Sequence, residues 1–189
     1  MEKLIHYTNP RSRGIRTERL LKVFEIPHET VHIDFQNGDH RTEEYLKIHP
    51  YGKVPALKHG NVTIVESGAI ILYLADLFQE KMHTPAPETP ERARLYEWLM
   101  FLQSTLEQAA VEGLSQEDKT PAREKIRELL TAMSGRFTGP YVLGDHFSVL
   151  DVILHTDLAW YRQVGLYPEG LEPYDSFMER TNERMGWEE

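Results

Sequence analysis

The sequence predicts an α/β domain followed by an all-helical one. Two observations carry this. Over residues 1–80, short β-branched runs alternate with stretches whose apolar residues recur at helical spacing. Past a proline-rich break over 83–90, almost every apolar pattern has the helical period.

Taken in order, Lys3 to Tyr7 reads as a strand that stops at Thr8-Asn9-Pro10. From Arg11 to Phe24, Ile15, Leu20, Leu21 and Phe24 mark a helix face. Ile26-Pro27 ends it, because proline has no N–H and disfavours a helical residue before it. Thr30 to Ile33 is a second strand, Asn37-Gly38 a turn, and Thr42 to Ile48 a short helix. Val54 to Leu57 and Val62 to Val65 pair through His59-Gly60-Asn61 as a hairpin. Ser67 to Phe78 is a helix with Ile70, Ile71, Leu74 and Leu77 on one side.

Residues 81–90 read as a linker. Glu91 to Val111 reads as one long helix, with Leu95, Trp98, Leu99 and Leu102 inward and Arg92, Tyr96 and Met100 outward. Further helices run from Pro121 to about Met133, Ser148 to Val164 and Tyr174 to Arg184. Trp98 is expected to pack, and Trp187 to lie in a loose tail. The domains are thus 1–80 and 91–189.

Composition narrows the function. The 189 residues are 40% hydrophobic and 27% charged, as in folded globular proteins. No run approaches the ~18 apolar residues of a membrane span, and no secretory signal is visible, so the expected compartment is the cytoplasm. Cysteine is absent, which removes disulfides and any reaction using a thiol of the protein. The net charge of −9 disfavours sequence-independent nucleic-acid binding. That charge is uneven: residues 1–80 hold 10 basic and 11 acidic residues, residues 81–189 hold 11 and 19. Arg11, Arg13, Arg16 and Arg19 cluster in the near-neutral half, where a small anionic ligand could be held. The nine histidines suggest no metal site; His28 and His32, four residues apart on an extended strand, stand ~13 Å from one another.

Two short runs suggest a ligand site. Val54-Pro55 stands at a strand start, where proline is tolerated. A cis bond there would leave the Val54 N–H and C=O facing outward, ready to pair with an extended peptide-like ligand. Only ~5% of such bonds are cis, so trans is the default without further context. Glu66-Ser67 opens a helix. A serine and an acid at that place ordinarily satisfy free N–H groups. The same helix end can also receive a carboxylate while the acid receives an amine, together holding the zwitterionic end of an amino acid.

The run from Gly38-Asp39-His40 through Tyr51-Gly52-Lys53-Val54-Pro55-Ala56-Leu57 and Val65-Glu66-Ser67-Gly68-Ala69-Ile70 resembles the cytosolic glutathione transferases. Gly144-Asp145-His146-Phe147-Ser148-Val149-Leu150-Asp151 is a second signature. It reads as a capping box at Ser148 and Asp151, with Phe147 and Val152 as a hydrophobic staple. The resemblance covers nearly the whole chain and implies a thioredoxin-like first domain, a linker and a helical second domain.

It implies a cis Val54–Pro55 bond, pairing of Val54 with the cysteinyl part of glutathione, and binding of the γ-glutamyl end by Glu66 and Ser67. His40 and Lys53 match positions that reach the glycyl carboxylate in theta-like classes. His49 departs from the asparagine usual before Pro50, at a position that serves the turn. On the serine-type spacing Ser12 would donate a hydrogen bond to the glutathione sulfur, with Arg16 adding positive charge. Thr8 and Asn9 are the competing positions, and read without the family Ser12 is an N-cap. Tyr7 matches a packing residue. Tyr161 and Arg162 are core or surface, or line an acceptor pocket. Glutathione is then the co-substrate, an electrophilic small molecule the acceptor, and a homodimer the expected assembly. The alternative is a binding or regulatory protein that kept the fold and lost the chemistry.

Overall fold

A computed structural model describes residues 2–186, so Trp187 lies outside the described residues. The chain divides into two compact units with the boundary after Phe78. The proline-rich run over 81–90 therefore groups with the second unit.

The first unit runs β1 (Leu4–Thr8), α1 (Gly14–Val23), β2 (Glu29–His32), a 3-10 turn (Asp39–Arg41), α2 (Glu43–Leu46), β3 (Ala56–His59), β4 (Val62–Val65) and α3 (Ser67–Leu77). Its sheet has the order β2-β1-β3-β4. β1 and β2 are parallel, which demands a crossover, and α1 supplies it. β3 runs antiparallel to β1 and to β4, with Tyr7 opposite Ala56 at the end of the ladder. Gly60, at φ 57°, closes the hairpin in a conformation that side chains disfavour.

α1 and α3 pack on each other; α1 also meets β1, and α3 meets β3. Leu20, Leu21, Ile70, Ile71 and Leu74 are fully buried, each contributing about 1.5–3 kcal/mol of apolar burial. Leu4, His6 and Thr8, alternate residues of β1, are buried as well. His6 is a titratable member of this core. Its Nε2 lies 2.7 Å from Thr17 Oγ1. Burial first, and then nearby His28, push the imidazole down to about 4, so it is neutral near pH 7.

Several boundaries move by one or more residues, and two of them have a clear cause. α1 starts at Gly14 and not Arg11. A Cβ on Gly14 would stand 2.2 Å from Thr8 Oγ1, so the helix enters where glycine allows close contact with β1. β3 starts at Ala56 and not Val54, since Pro55 has no N–H for the ladder.

The second unit is helical: α4 (Pro90–Met100), a π-helical segment (Phe101–Leu106), α5 (Glu107–Leu114), α6 (Thr120–Ser134), α7 (Val149–Gln163) and α8 (Tyr174–Met185). Thr89 caps α4, its hydroxyl accepting from Arg92 N at 3.2 Å. The single long helix expected over 91–111 is corrected by the π segment. Ser104 Oγ donates to Met100 O at 2.6 Å inside it, the kind of side-chain bond that loosens a helical ladder. The wider turns keep Leu102, Leu106, Ala109 and Ala110 buried in sequence with Leu95, Trp98 and Leu99. Arg92, expected outward, is 2% exposed; it donates to Pro85 O at 3.1 Å and lies over the Tyr96 ring. Tyr96 and Met100 are exposed as expected.

α7 is buried from Val149 to Ala159, the mark of a central helix. Its N-terminus is the predicted capping box, with Phe147 and Val152 both buried beside it. The Asp151 carboxylate accepts from Val142 N at 2.8 Å and from Ser148 N and Oγ at 2.7 Å. Among the described residues no helix is long and apolar enough to cross a membrane.

Candidate functional site

The segment from His49 to Pro55 is a turn fixed from both sides. His49 N donates to Tyr45 O, and Gly52 N donates to His49 O. Gly52 has φ 61°, and a Cβ there would stand 2.5 Å from the His40 carbonyl oxygen, so the turn needs glycine. Tyr45, buried in α2, donates its hydroxyl to Lys53 O at 2.6 Å. Burial raises that phenol's pKa well above the usual range, so it stays a donor. The Val54–Pro55 bond is cis, and Val54 lies beyond the end of the β1–β3 ladder. Its N–H and C=O are thus outside the sheet.

Facing this turn is the start of α3. Glu66 occupies the N-cap position at φ 70° and ψ 117°, a strained conformation for a residue with a side chain. It makes no side-chain cap. Its carboxylate accepts from Tyr51 Oη, which raises the Tyr51 pKa. Ser67 follows, 6% exposed, and the first-turn N–H groups of the 11-residue helix give this end partial positive charge.

Between turn and helix is a cavity of about 250 Å³, lined by Arg13, His49, Tyr51, Lys53, Val54, Pro55, Glu66 and Ser67. It has an acid and a helix N-terminus at one side, two exposed cations and a strand-like backbone edge. That set matches a short peptide with charged ends. Among the described residues no group of three His, Asp or Glu could hold a metal.

Residues 2–76 match the family model "Glutathione S-transferase, N-terminal domain". Glutathione S-transferase A of Pleuronectes platessa is 28% identical over 174 residues, 82% of this chain and 77% of that one. The structure of a sphingomonad glutathione S-transferase complexed with glutathione is 26% identical. It superposes with a TM-score of 0.78 over 96% of this chain and 95% of that one. The fold is that of a glutathione S-transferase. Protein URE2 of Eremothecium gossypii is also similar, 35% identical over 94 residues, 47% of this chain and 27% of that one.

Within this transferase fold, five expected residues meet in one cavity: Lys53, Val54, Pro55, Glu66 and Ser67. The others stand elsewhere. Ser12 Oγ donates to Asn9 O at 2.6 Å and accepts from Gly14 N at 3.0 Å in a local turn; the N-cap of α1 is Arg13, one residue after the N-cap expected at Ser12. Asn9 spends its amide on Ile33 O and Arg11 N. Thr8 is fully buried and close against Gly14, and among the described residues its hydroxyl has no hydrogen-bond partner. Arg16 is 4% exposed inside α1 and does not line the cavity; Arg13 does. The His40 ring packs edge-on against Phe35, while its carbonyl backs Gly52.

His49 and Tyr51 are cavity residues that sequence reasoning missed, and Arg13, expected only as one of a basic cluster suited to an anionic ligand, is the member of that cluster that lines the cavity. His49 is 2% exposed, stands perpendicular to the Tyr51 ring at 4.4 Å, and has its pKa lowered chiefly by burial. The available signal was position: His49 and Tyr51 flank Pro50 within the Val54 run, and Arg13 follows Ser12.

Proposed function

We propose that the enzyme, a glutathione S-transferase, holds glutathione in the first unit's cavity and presents its thiolate to an electrophilic small molecule. The observation that carries this is the single cavity shared by Lys53, Val54, Pro55, Glu66 and Ser67. Each end of the tripeptide then has a counterpart. Glu66 takes the γ-glutamyl ammonium, while Ser67 and the α3 N-terminus take its carboxylate. Val54 N–H and C=O pair with the cysteinyl main chain. Lys53 receives the glycyl carboxylate, joined by His40 from behind Gly52.

Ser12 is the proposed thiol-activating residue. Its hydroxyl turns from the Asn9 carbonyl to donate to the sulfur, favouring the thiolate over a thiol of pKa ~8.5. Arg13, exposed at the cavity, supplies nearby positive charge, and buried Arg16 acts from farther away. The thiolate then forms a carbon–sulfur bond as the leaving group departs with its electron pair, and the thiol proton passes to solvent. Binding both reactants in one protein provides proximity. The expected assembly is a cytoplasmic homodimer; sedimentation should give about twice 22.0 kDa.

The test is calorimetric titration with glutathione followed by an assay with a chlorinated dinitroaromatic acceptor. Saturable binding and turnover support the reading. Absence of binding overturns it. Binding without turnover favours a second reading, a protein that kept the tripeptide site alone; the Ser12 hydroxyl held on the Asn9 carbonyl is what favours it.

A further inference from the structure

A larger cavity, about 600 Å³, is built wholly from second-unit residues and plays no part in the site above. Three arginines line it: Arg123 and Arg127, one turn apart on α6, and Arg162 near the end of α7. They are not equivalent. Arg162 is paired with Asp175 at 3.2 Å and stacks over the Tyr167 ring at 4.7 Å. Tyr167 also donates its hydroxyl to Asp175 at 2.8 Å, so this carboxylate is compensated twice.

Arg123 and Arg127 have no such partner. Arg127 donates to the Glu169 carbonyl at 2.9 Å. Arg123 donates to the Gly165 carbonyl at 3.4 Å and to Thr120 Oγ1 at 3.2 Å. Among the described residues neither guanidinium makes an ion pair with a carboxylate. A carbonyl oxygen on each, with the Thr120 hydroxyl on Arg123, holds both in place. Exposed Asp118, outside the cavity lining, also acts on Arg123, and among the described residues Arg127 has only the carbonyl. A fixed guanidinium loses less freedom when it captures an anion.

The cavity's remaining acids, Glu124 and Glu169, are exposed, where water screens them, while Arg123 and Arg127 are half-buried. Buried Tyr167 and Pro168 form an apolar wall. We propose that this cavity is a binding site for a small phosphate ester, its phosphoryl group held by Arg123 and Arg127 and its organic part laid against Tyr167 and Pro168. Two forked donors one helical turn apart match a group with three acceptor oxygens and up to two charges. A carboxylate offers two oxygens and one charge.

The test is calorimetric titration of the full chain with inorganic phosphate, and with acetate, at constant ionic strength. Expected is one saturable phosphate site per chain, at least tenfold tighter than acetate, and weakened at least tenfold in Arg127→Gln. Arg123→Gln, read the same way, serves if the first variant does not fold. Three results would overturn the proposal: no saturable phosphate binding, affinity unchanged in the folded variants, or acetate bound as well as phosphate. Loss of phosphate binding in Lys53→Gln would also overturn it, by moving the anion to the first unit.

Discussion

Two helices of this chain begin with a serine and an acid, and they do opposite things. At α7, Ser148 and Asp151 are both fully buried, and the carboxylate is spent on two main-chain N–H groups and a hydroxyl. At α3 the acid precedes the serine. Glu66 is exposed, strained at φ 70°, and caps nothing. Position decides the outcome. An acid three residues into a helix reaches back to the N-cap main chain. An acid at the cap itself, with its backbone turned over, makes no side-chain cap to the helix, and its carboxylate accepts from Tyr51 instead. The first arrangement satisfies the helix start; the second carries strain and turns its acid toward the cavity proposed to bind glutathione.

The strongest way to break this comparison is to remove each acid. Asp151→Ala strands the N–H groups of Val142 and Ser148, each costing about 1–3 kcal/mol, so a loss of ~3 kcal/mol or more is expected in urea unfolding. Glu66→Ala should change stability by no more than about 0.5 kcal/mol. Comparable losses in the two variants would show that α3 depends on its acid as α7 does.

Buried titratable groups sharpen the contrast by pH. Burial pushes Asp151 up to about 6, so between pH 4 and 6 the folded state holds a proton that the unfolded state releases. Its contribution to stability therefore falls as pH rises through that window. His6 has the reverse sign. With its pKa lowered to about 4, the folded state binds fewer protons between pH 4 and 6.5. That stability is fully present above 6.5 and lost as pH falls through 4, about 3 kcal/mol for a shift of this size. His6→Gln should remove this rise, leaving stability that declines from pH 4 to 6. A variant whose pH profile matches the parent would exclude His6 as a source of pH dependence.

On the binding side, Ser67→Ala should weaken glutathione by the ~1.5–3 kcal/mol typical of a hydrogen bond to a charged group. Ser148→Ala should leave glutathione affinity unchanged while lowering stability. An effect of Ser148→Ala on affinity would undo the division between the two helix starts.

Much of this was readable from residues alone, because the deciding forces were local. The capping box, the hairpin around Gly60 and the run from Lys53 to Ser67 depend on neighbours a few positions apart. What escaped depended on partners far along the chain or on the phase of a helix. The π segment shifts the apolar face by a fraction of a turn, which periodicity over Glu91 to Val111 averages away. Arg92 is buried, and a proline carbonyl seven residues earlier accepts from it. Ser12 is placed by the spacing of the family the chain resembles, and nothing in that spacing reveals a hydroxyl already held by Asn9 O. Tyr51 reaches Glu66 across 15 residues.

Backbone strain at the α3 start gives a smaller effect. Glycine tolerates φ 70° and ψ 117° without the penalty of a Cβ, which is about 1 kcal/mol or more for other residues. Glu66→Gly should therefore raise the melting temperature by a few degrees while weakening glutathione binding, a stability gain at the expense of function. A lower melting temperature would mean that the Glu66 side chain supports the fold more than its backbone strains it.

The smallest expected effect concerns Tyr51. Its hydroxyl donates to the carboxylate that is proposed to receive the γ-glutamyl ammonium. The incoming ammonium must share or displace that donor. Tyr51 is 55% exposed, so water and the phenol compete for Glu66 on similar terms and the bond contributes little net energy. Tyr51→Phe keeps the ring against His49 and deletes only the hydroxyl. Glutathione affinity should then tighten about threefold, corresponding to roughly 0.6 kcal/mol. No comparable gain is available at α7, where deleting the Ser148 hydroxyl removes a buried partner from Asp151 and can only destabilise. Weaker glutathione binding in Tyr51→Phe would reverse the assignment, making the phenol a group that positions Glu66 for the ligand.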